Sequence, residues 1–300
     1  MSLKEAKIIN GKTLSNELIQ SLIPNIKKII NKIGRPPALA VILVGEDSPS
    51  QIYVRNKINK TLEAGMISVE HRLSSETSER SLLELIIELN KDNEVDGILV
   101  QLPLPKHINE HSIIQAINPE KDVDGFNIIN VGKLATGQSN LVPCTPLGCL
   151  LLLRHTLGDL TGLHAVIIGR SNIVGKPLAQ LLLAENASVT IVHSKTKNIS
   201  QITAQADILI AAVGQAELVK SDWIKTGACI IDVGINRINA PKKGGGKHQL
   251  VGDVNFSEVI QKARFITPVP GGVGPMTISC LLQNTVVAAA KRNGVEIKIK

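Results

Sequence analysis

The chain has 300 residues, of which 43% are hydrophobic and 20% are charged, so it can bury a large core and is not intrinsically disordered. Its length suits one large domain or two domains of ordinary size. The formal net charge of +7 favours anionic partners, either a phosphorylated cofactor or nucleic acid. One Trp, one Tyr and three Phe are too few to build a stacking surface for single-stranded nucleic acid. We therefore expect no nucleic-acid partner.

The sequence also indicates the compartment in which we expect the protein to work. None of the four cysteines belongs to a Cys-x-x-Cys pair, so neither a zinc ribbon nor a thioredoxin-type site is predicted, and reduced thiols are expected. Met1–Gly11 contains no apolar signal core, and apolar runs such as Cys149–Leu153 are far too short to span a bilayer. A cytoplasmic protein without a membrane partner is the resulting expectation.

Short apolar runs that resemble strands alternate with helical patterns in the first half of the chain. Runs that are apolar on both faces and separated by helices indicate a parallel sheet covered on both sides. Pro24 lies inside the first helical pattern and is expected to kink or split that helix. The predicted elements are, in chain order, helix Thr13–Ile33, strand Ala38–Val44, helix Gln51–Ala64, strand Met66–Leu73, helix Ser78–Asn90 and strand Gly97–Val100.

A second alternating series follows Leu141–Thr145, a stretch rich in turn residues that is the candidate domain boundary. The chain is therefore predicted to be an α/β protein with two α/β domains. The loop Asn239–Lys247 (NAPKKGGGK) is expected to be a solvated hairpin tip, with phosphate binding as the minority interpretation. The elements predicted in this half are strand His164–Ile168, helix Val174–Glu185, strands Ala187–Val192, Asp207–Ala212, Cys229–Val233 and Arg264–Ile266, and helix Pro275–Arg292.

The turn after the first strand of the second series has the pattern of a phosphate-binding turn. Leu163–Leu178 reads LHAVIIGRSNIVGKPL, in which an apolar strand runs into Gly169 and Gly175 opens a helix. This order aims backbone N–H groups and the positive end of the helix dipole at a phosphate. It is not a strict GxGxxG, because Ser171 replaces the second glycine, and it is not a P-loop, because Pro177 stands where Ser or Thr should follow the lysine. An ordinary strand-to-helix turn is the alternative on this motif alone.

The next strand favours a cofactor with a 2′-phosphate. A dinucleotide fold that prefers NAD usually ends its second strand with an acid that binds the ribose 2′-hydroxyl. Val189–Lys197 reads VTIVHSKTK and contains no acid. Ser194 offers a hydroxyl, while Lys195 and Lys197 offer positive charge, as does Arg170 in the preceding turn. This set favours NADP over NAD, with a solvated basic turn as the alternative for the lysines.

Four polar side chains lie near predicted strand ends in the first half. Tyr53 and Lys57 stand four apart on one helical face just after a strand, in GEDSPSQIYVRNK. Gln101 follows the strand Gly97–Val100, and Asp124 lies in KDVDGF. At such strand ends these groups could position a polar heterocycle and manage protons without a metal. Taken singly, each has a structural alternative, namely a surface lysine, a phenol at the core edge or a turn residue.

Eight sequence stretches resemble motifs of a known enzyme family. They occur in the same order as in that family and cover most of the chain. They are GEDSPSQIYVRNK, DGILVQLPLP, KDVDGF, PCTP, GRSNIVGKP, IIDVGIN, VGDV and TPVPGGVGPMT. Together they resemble the bifunctional methylenetetrahydrofolate dehydrogenase/cyclohydrolase family. DGILVQLPLP and TPVPGGVGPMT are the most specific of the eight.

The resemblance implies a fold and an activity. Residues 1–145 would form a folate-binding catalytic domain completed by the C-terminal helix 276–300, and residues 146–275 a Rossmann-type NADP-binding domain, with the active site in a cleft between them. Members of the family oxidise 5,10-methylenetetrahydrofolate with NADP and hydrolyse the methenyl product to 10-formyltetrahydrofolate. They are homodimers of one-carbon metabolism, which also serves purine biosynthesis.

The resemblance also implies roles for individual residues. Lys57 matches the catalytic lysine, and Gln101 matches the partner that orients it. Tyr53 matches the residue packed along the folate, and Asp124 matches the acceptor that grips the amino-substituted ring of the pterin. The positions at which the family's glycine-rich loop meets folate and nicotinamide are Gly274 and Pro275. The positions that match cofactor contacts are Thr145, Gly169, Arg170, Ser171, Ile173, Val174, Gly175, Ser194, Ile235 and Thr277.

The sequence departs from the family pattern at two places. Val192 stands where many relatives carry Cys, which leaves the argument for a 2′-phosphate intact. The GGGK insertion near Gly244 is atypical and is expected to concern only a loop.

The sequence also admits other interpretations of single residues and of the whole chain. His107 and His111 are four apart and could be metal ligands on a helix, but no third ligand is evident and the preceding prolines suggest a solvated loop. Cys144 could be a nucleophile, but no cysteine-hydrolase signature surrounds it, so packing is expected. The alternative functions are an enzyme that keeps one of the two activities and a non-catalytic protein that senses NADP or binds nucleic acid.

Overall fold

The computed structural model of the protein describes residues 5–138, 141–239 and 248–299. Helices and strands alternate along most of this chain. The helices are α1 Gly11–Ile33, α2 Ser48–Glu63, α3 Glu79–Lys91, α4 Glu110–Ala116, α5 Ile128–Ala135, α6 Cys144–Leu157, α7 Gly175–Ala184, α8 Ile199–Thr203, α9 Phe256–Val259 and α10 Val273–Arg292. The strands are β1 Lys7–Ile8, β2 Ala38–Val44, β3 Ile67–Leu73, β4 Gly97–Val100, β5 His164–Ile168, β6 Ser188–Val192, β7 Ile208–Ala211, β8 Cys229–Asp232, β9 Asn236–Asn239, β10 His248–Val251 and β11 Phe265–Ile266.

The chain divides into two compact units. The six-stranded unit contains Met1–Ser15 and Thr145–Thr277, and the three-stranded unit contains Asn16–Cys144 and Ile278–Lys300. This division differs from the predicted one, which grouped the N-terminal residues with the first domain. The reason is that β1 pairs in parallel with β11, and a two-residue strand carries too little pattern to be recognised in the sequence. Likewise α10 begins at Val273 rather than at residue 276.

The three-stranded unit is built around β2, whose seven residues are all buried. The sheet order is β3-β2-β4, and both pairings are parallel. The chain adds β3 on one side of β2 and then crosses to add β4 on the other side. Strand order therefore reverses at β2, and ligands of open α/β sheets bind outside the carboxyl ends of the strands at such a switch point.

The six-stranded unit repeats this arrangement on a larger scale. Its sheet order is β1-β11-β8-β7-β5-β6, and every neighbouring pair is parallel. The chain runs from β5 to β6 on one side and then crosses to β7 on the other side, so the switch point lies at β5. This is a doubly wound parallel topology, and the predicted α/β fold class is confirmed.

Helix α1 differs from the prediction, because it continues through Pro24 as one helix of 23 residues. Leu22 and Ile26, on either side of the proline, are 1% and 3% exposed and pack in one apolar cluster with Leu282 and Val286 of α10. Burial of this apolar face keeps the helix in one piece despite the missing backbone donor.

Two regions expected to be irregular contain helices. Helix α6 begins at Cys144, inside the predicted boundary stretch Leu141–Thr145, and the two units divide between Cys144 and Thr145. Helix α4 begins after Asn109, whose side chain accepts hydrogen bonds from the N–H groups of His111 and Ser112. His107 precedes this helix, and its Nε2 atom lies 2.9 Å from the carbonyl oxygen of Thr77. The two histidines therefore do not share a helical face. The loop around Gly244 lies outside the described residues, and the antiparallel strands β9 and β10 flank it.

Within the described part of the chain, α10 is the helix that is long and apolar enough to cross a membrane by length and composition. The protein itself buries 72% of its apolar window. In the three-stranded unit its residues Leu282, Val286 and Ala289 belong to the core cluster shared with α1.

A buried ion cluster fixes the amino end of β4. Asp96, whose side chain is fully buried, lies 2.7 Å from Arg35 and 3.2 Å from Arg292, and both arginine side chains are only about one-sixth exposed, at 15% and 16%. The Asp96 carboxylate also accepts the N–H of Ala38 at the start of β2. Glu94 contacts the same Arg35 at 3.2 Å, but its side chain is 78% exposed.

Asp96→Asn should lower the free energy of unfolding by about 3–5 kcal/mol, because it leaves two largely buried guanidinium groups without their carboxylate. Glu94→Gln is the matched control, and it should cost less than about 1 kcal/mol because that carboxylate is solvated. Urea denaturation of the three proteins measures both changes. Equal losses of stability in the two variants would contradict this account of the cluster.

Candidate active site

Helix α2 brings Tyr53 and Lys57 to one face. The Asp47 side chain caps the helix by accepting hydrogen bonds from the Ser50 N–H at 2.9 Å and the Ser50 hydroxyl at 2.6 Å. Lys57 is only 7% exposed, so its side chain is largely removed from water. Tyr53 is half-buried, and burial raises the pKa of its phenol.

Gln101 holds the Lys57 amine in one direction. The Lys57 Nζ donates a hydrogen bond to Gln101 Oε1 at 3.0 Å. The Gln101 Nε2 donates to the Leu102 carbonyl at 2.6 Å, so the amide oxygen is the atom turned toward the lysine. The backbone N–H of Gln101 donates to Ile42 in β2, which anchors the glutamine at the carboxyl end of the sheet. The predicted Lys57–Gln101 pair thus lies together at the switch point.

The two acids of KDVDGF have different surroundings. Asp122 is buried and accepts hydrogen bonds from the N–H groups of Gly125 and Asn127 and from the side-chain amide of Asn130, so it shapes the loop. Asp124 is half-buried, and burial raises the pKa of its carboxyl to about 6. The positive charge of Lys57 opposes that rise, which places the two side chains in one electrostatic environment.

A side chain of the C-terminal helix supports the loop that carries Asp124. The Asn284 amide donates to the carbonyl oxygens of Val123 and Val142, each at 2.8 Å. The Cys144 thiol donates to the Val123 carbonyl at 3.2 Å. Cys144 is 1% exposed, and burial raises the pKa of its thiol well above the ordinary value, so it packs as a neutral group. The sequence-based reasoning did not assign Asn284, although it is an amide inside an apolar helix.

The turn from β5 into α7 is tightly packed around two glycines. Gly169 has φ of +117°, and a Cβ atom there would lie 2.3 Å from the Ala212 carbonyl oxygen beyond β7. A Cβ at Gly175 would lie 2.2 Å from the Gly169 carbonyl oxygen. The Ser171 hydroxyl accepts a hydrogen bond from the Val174 N–H at 3.1 Å, which closes the turn. The backbone therefore approaches the switch point closely, with the positive end of α7 directed there.

The exposed groups that favour a 2′-phosphate lie on neighbouring loops. Gly169 donates its N–H to the Val192 carbonyl at 2.9 Å, and this bond joins the loop after β5 to the end of β6. Arg170 is the next residue in the chain after Gly169. In the turn after β6, the His193 Nδ1 accepts a hydrogen bond from the Lys195 N–H. Arg170 and Ser194 are both exposed at this carboxyl edge.

The remaining predicted contacts lie in the same six-stranded unit. The hydroxyls of Thr145 and Thr277 are 3.0 Å apart. Ile235 is 45% exposed, and a Cβ added at Gly274 would lie 3.9 Å from its Cδ1 atom. The Pro275 carbonyl accepts a hydrogen bond from Ser15 at 2.9 Å. The structure thus groups Gly274 and Pro275 with the cofactor positions rather than with the three-stranded unit.

The sequence-based reasoning missed two buried acids in this unit, Asp232 and Asp253. Both lie in stretches quoted for the resemblance, IIDVGIN and VGDV, and both are at most 4% exposed. An acid at the end of an apolar strand and a second acid flanked by glycine were the signals that could have identified them. Burial raises the pKa of Asp232 to about 7.

Close backbone packing at the glycine turn, the switch point at β5 and the cationic and hydroxyl side chains beside it are the features of a dinucleotide site. These residues fit a phosphorylated dinucleotide, and the six-stranded unit is accordingly of the dinucleotide-binding class. The three-stranded unit adds a buried, oriented lysine at its own switch point.

Two family models match the chain. The catalytic domain of tetrahydrofolate dehydrogenase/cyclohydrolase matches residues 9–124, and the NAD(P)-binding domain of the same family matches residues 143–293. The chain belongs to the tetrahydrofolate dehydrogenase/cyclohydrolase family, as the motifs indicated. Among similar proteins, Bifunctional protein FolD 2 of Roseobacter denitrificans is 57% identical over 291 residues, which is 97% of each chain. Bifunctional protein FolD of Erythrobacter litoralis is 56% identical over 97% of this chain and 98% of its own.

Solved structures of the same family have the same fold. The bifunctional FolD enzyme of Campylobacter jejuni has a TM-score of 0.90 and 48% identity, covering 96% of this chain and 99% of its own. The Trypanosoma brucei dehydrogenase-cyclohydrolase, solved with NADP cofactor and inhibitor, has a TM-score of 0.91 and 38% identity, covering 97% and 99% of the two chains.

The Asp124 carboxyl should titrate near pH 6, because burial raises its pKa to about 6. Lys57→Met removes a positive charge that lowers this pKa, so the midpoint should move to higher pH. Carbon-13 NMR of the aspartate carboxyls measures the midpoint, and Asp124→Asn assigns the signal. Lys60→Met is the control, because Lys60 is on the same helix but pairs with Glu63 in solvent. A midpoint that does not rise in Lys57→Met would contradict the coupling.

Proposed function

We propose that this chain is a bifunctional enzyme that oxidises 5,10-methylenetetrahydrofolate to 5,10-methenyltetrahydrofolate with NADP and hydrolyses the product to 10-formyltetrahydrofolate. The observation that carries the proposal is the buried Lys57 amine, oriented by Gln101 at a sheet switch point, in a chain of this family. Relatives that match along their full length are named bifunctional proteins, which supports both activities.

The cofactor in this proposal is NADP, bound by the six-stranded unit. When bound, NADP supplies the acceptor for a hydride. The close backbone at Gly169 and Gly175 would receive the pyrophosphate, and exposed Arg170 and Ser194 would bind the 2′-phosphate. The NADP complex of the Trypanosoma brucei relative supports this choice. The other proposed cofactor contacts are Thr145, Ser171, Ile173, Val174, Ile235 and Thr277.

Oxidation leaves a cationic methenyl group, so the first reaction depends on alignment more than on an acid. Hydride transfer requires the methylene carbon and its acceptor to be in van der Waals contact. Tyr53 would pack along the folate, and the Asp124 carboxylate would accept hydrogen bonds from the amino-substituted ring. The loop at Gly274 and Pro275 would approach the folate and the nicotinamide.

The second reaction adds water to the methenyl carbon. The Lys57 amine accepts a proton from the attacking water as the carbon–oxygen bond forms. A proton then moves from the new hydroxyl to N5 as the carbon–N5 bond breaks, which leaves the formyl group on N10. The ammonium releases its proton to solvent, so one water is consumed and one proton is produced. Gln101 directs the amine through the hydrogen bond that its side-chain oxygen accepts.

Lys57→Met should therefore reduce methenyltetrahydrofolate hydrolysis far more than NADP-dependent oxidation, by about a hundredfold or more for hydrolysis. Spectrophotometric assays with methylenetetrahydrofolate and with methenyltetrahydrofolate measure the two activities separately. A wild-type protein that lacks one of the two activities would be a single-activity enzyme. Lys60→Met, which changes an exposed lysine of the same helix, should leave both rates unchanged. Equal losses in the two activities, with folate binding intact, would count against the role of Lys57.

The choice of NADP has its own test. Replacing Arg170 and Ser194 together by Ala should raise the KM for NADP at least about tenfold while changing the KM for NAD little, because only NADP carries the 2′-phosphate. Steady-state kinetics with both cofactors measures the ratio. Lys220→Met, an exposed lysine of the same unit, is the charge-matched control. If both cofactors lose affinity alike, these two side chains do not bind the 2′-phosphate.

We also propose a cytoplasmic homodimer that contributes to purine biosynthesis through its formyl product. The family resemblance supports the homodimer and the contribution to purine biosynthesis, and four free cysteines fit a reducing compartment such as the cytoplasm. Sedimentation equilibrium of the purified chain tests the oligomeric state.

A further inference from the structure

The aspartate pair, Asp232 and Asp253, lies at the carboxyl edge of the six-stranded sheet. Asp232 is the last residue of β8 and is 4% exposed, and Asp253 follows β10 and is fully buried. The surrounding backbone is packed directly against the two carboxylates. A Cβ at Gly252 would lie 1.7 Å from an Asp232 oxygen, and one at Gly234 would lie 2.2 Å from an Asp253 oxygen. Only glycine fits at either position.

Asp253 connects the loops that follow β7 and β8. Its Oδ2 atom accepts hydrogen bonds from the Val213 N–H at 2.7 Å and the Gly214 N–H at 3.0 Å. Its Oδ1 atom accepts one from the Asn236 side-chain amide at 2.9 Å. Because both oxygens take up donors and the side chain is buried, the charge of Asp253 is not turned toward solvent or a phosphate.

Asp232 in turn holds Asp253 in place. Its Oδ1 atom accepts hydrogen bonds from the N–H groups of Gly234 at 3.0 Å and Asp253 at 2.9 Å, and its Oδ2 atom accepts one from Val254 at 2.9 Å. Ile235 therefore lies between one residue held by Asp232 and another held by Asp253. The two acids therefore restrain the backbone on both sides of Ile235, whose side chain is 45% exposed.

The groups held by Asp253 border the dinucleotide turn. Val213 follows Ala212, and the Ala212 carbonyl is the group that leaves no room for a Cβ at Gly169. The Ala212 N–H donates to the Ile168 carbonyl at the end of β5. A shift of Val213 and Gly214 would therefore change the space at the glycine turn.

We propose that Asp253 is a positioning residue for the dinucleotide, which acts by holding Val213, Gly214 and Asn236 so that the β7 and β8 loops form one wall of the cofactor site. The proposal rests on the proposed function, since it assumes that NADP binds at the β5 switch point. It assigns to Asp253 no contact with the cofactor. Asp253 is therefore expected to affect NADP binding and not the hydrolysis of methenyltetrahydrofolate.

The test begins with Asp253→Asn, in which an NH₂ group replaces an accepting oxygen. This group faces either the Val213 and Gly214 N–H groups or Asn236, which must then turn its amide oxygen toward it. The Kd for NADP and the KM in the dehydrogenase assay should rise about tenfold or more. Hydrolysis of methenyltetrahydrofolate measured without NADP should stay within about twofold of wild type. Asp159→Asn, at an exposed position of the same unit, is the control and should change neither.

Asn236→Asp is the reciprocal variant, because it places a carboxylate against that of Asp253, and it should also weaken NADP binding. The double variant Asp253→Asn with Asn236→Asp restores the pattern of donors and acceptors. Its amide oxygen at position 253 accepts from Val213 and Gly214, and its amide nitrogen donates to the carboxylate at position 236. The double variant should recover most of the NADP affinity lost in either single variant.

Asn236→Ala removes one hydrogen bond and leaves Asp253 in place, so it keeps the test valid if Asp253→Asn does not fold. It should raise the Kd for NADP about threefold without lowering hydrolysis. Unchanged NADP affinity in the folded variants, or a double variant no better than the single ones, would overturn the proposal. So would a parallel loss of hydrolysis and Tm, which indicates a purely structural role. A wild-type protein that binds no NADP would instead refute the proposed function itself.

Discussion

The hydrogen bond between the Lys57 amine and the Gln101 amide oxygen is the interaction on which the three-stranded site depends. It joins a helix that follows β2 to the residue that follows β4, so it forms only if both strands end at the same level of the sheet. The backbone bond from Gln101 to Ile42 fixes that level. The acceptor is a neutral amide oxygen, and it gives the buried amine a fixed direction.

The same topological device positions both candidate sites. The order β3-β2-β4 reverses at β2, and the order β6-β5-β7 reverses at β5. In each unit the residues that carry chemistry follow the reversing strand or its neighbour. Gly45 follows β2 and Gln101 follows β4, while Gly169 follows β5 and Val213 lies just beyond β7. Adjacent parallel strands whose connections leave in opposite directions open a crevice, and this is why chemically unrelated side chains gather there.

The sequence predicted what depends on local pattern. Apolar runs located β2, β4 and β5 to within a residue, because strands buried on both faces leave an uninterrupted apolar signature. Family motifs then singled out Lys57 and Gln101, which the structure brings into hydrogen-bond contact. The local sequence pattern did not predict that Lys7 pairs with Phe265, or that α1 continues through Pro24. Both outcomes are decided by residues far away in the chain.

The buried aspartates show why residue type alone did not reveal the role of each acid. Asp122, Asp232 and Asp253 each accept three hydrogen bonds from groups of the protein, and each of them fixes a loop.

Asp124 stands two residues from Asp122 and differs from it in its surroundings. Its main influences are burial, which raises its pKa to about 6, and the positive charge of Lys57, which opposes that rise. A carboxylate already supplied with N–H donors has little capacity left for a ligand. Asp124, which we propose accepts hydrogen bonds from the folate ring, interacts instead with the Cys144 thiol and the Lys57 charge. The number of protein hydrogen-bond donors around an aspartate therefore distinguishes one that holds a loop in place from one that has acceptor capacity for a ligand. These donors come from residues up to 40 positions away, as in the bond from Val213 to Asp253, and so cannot be counted along the sequence.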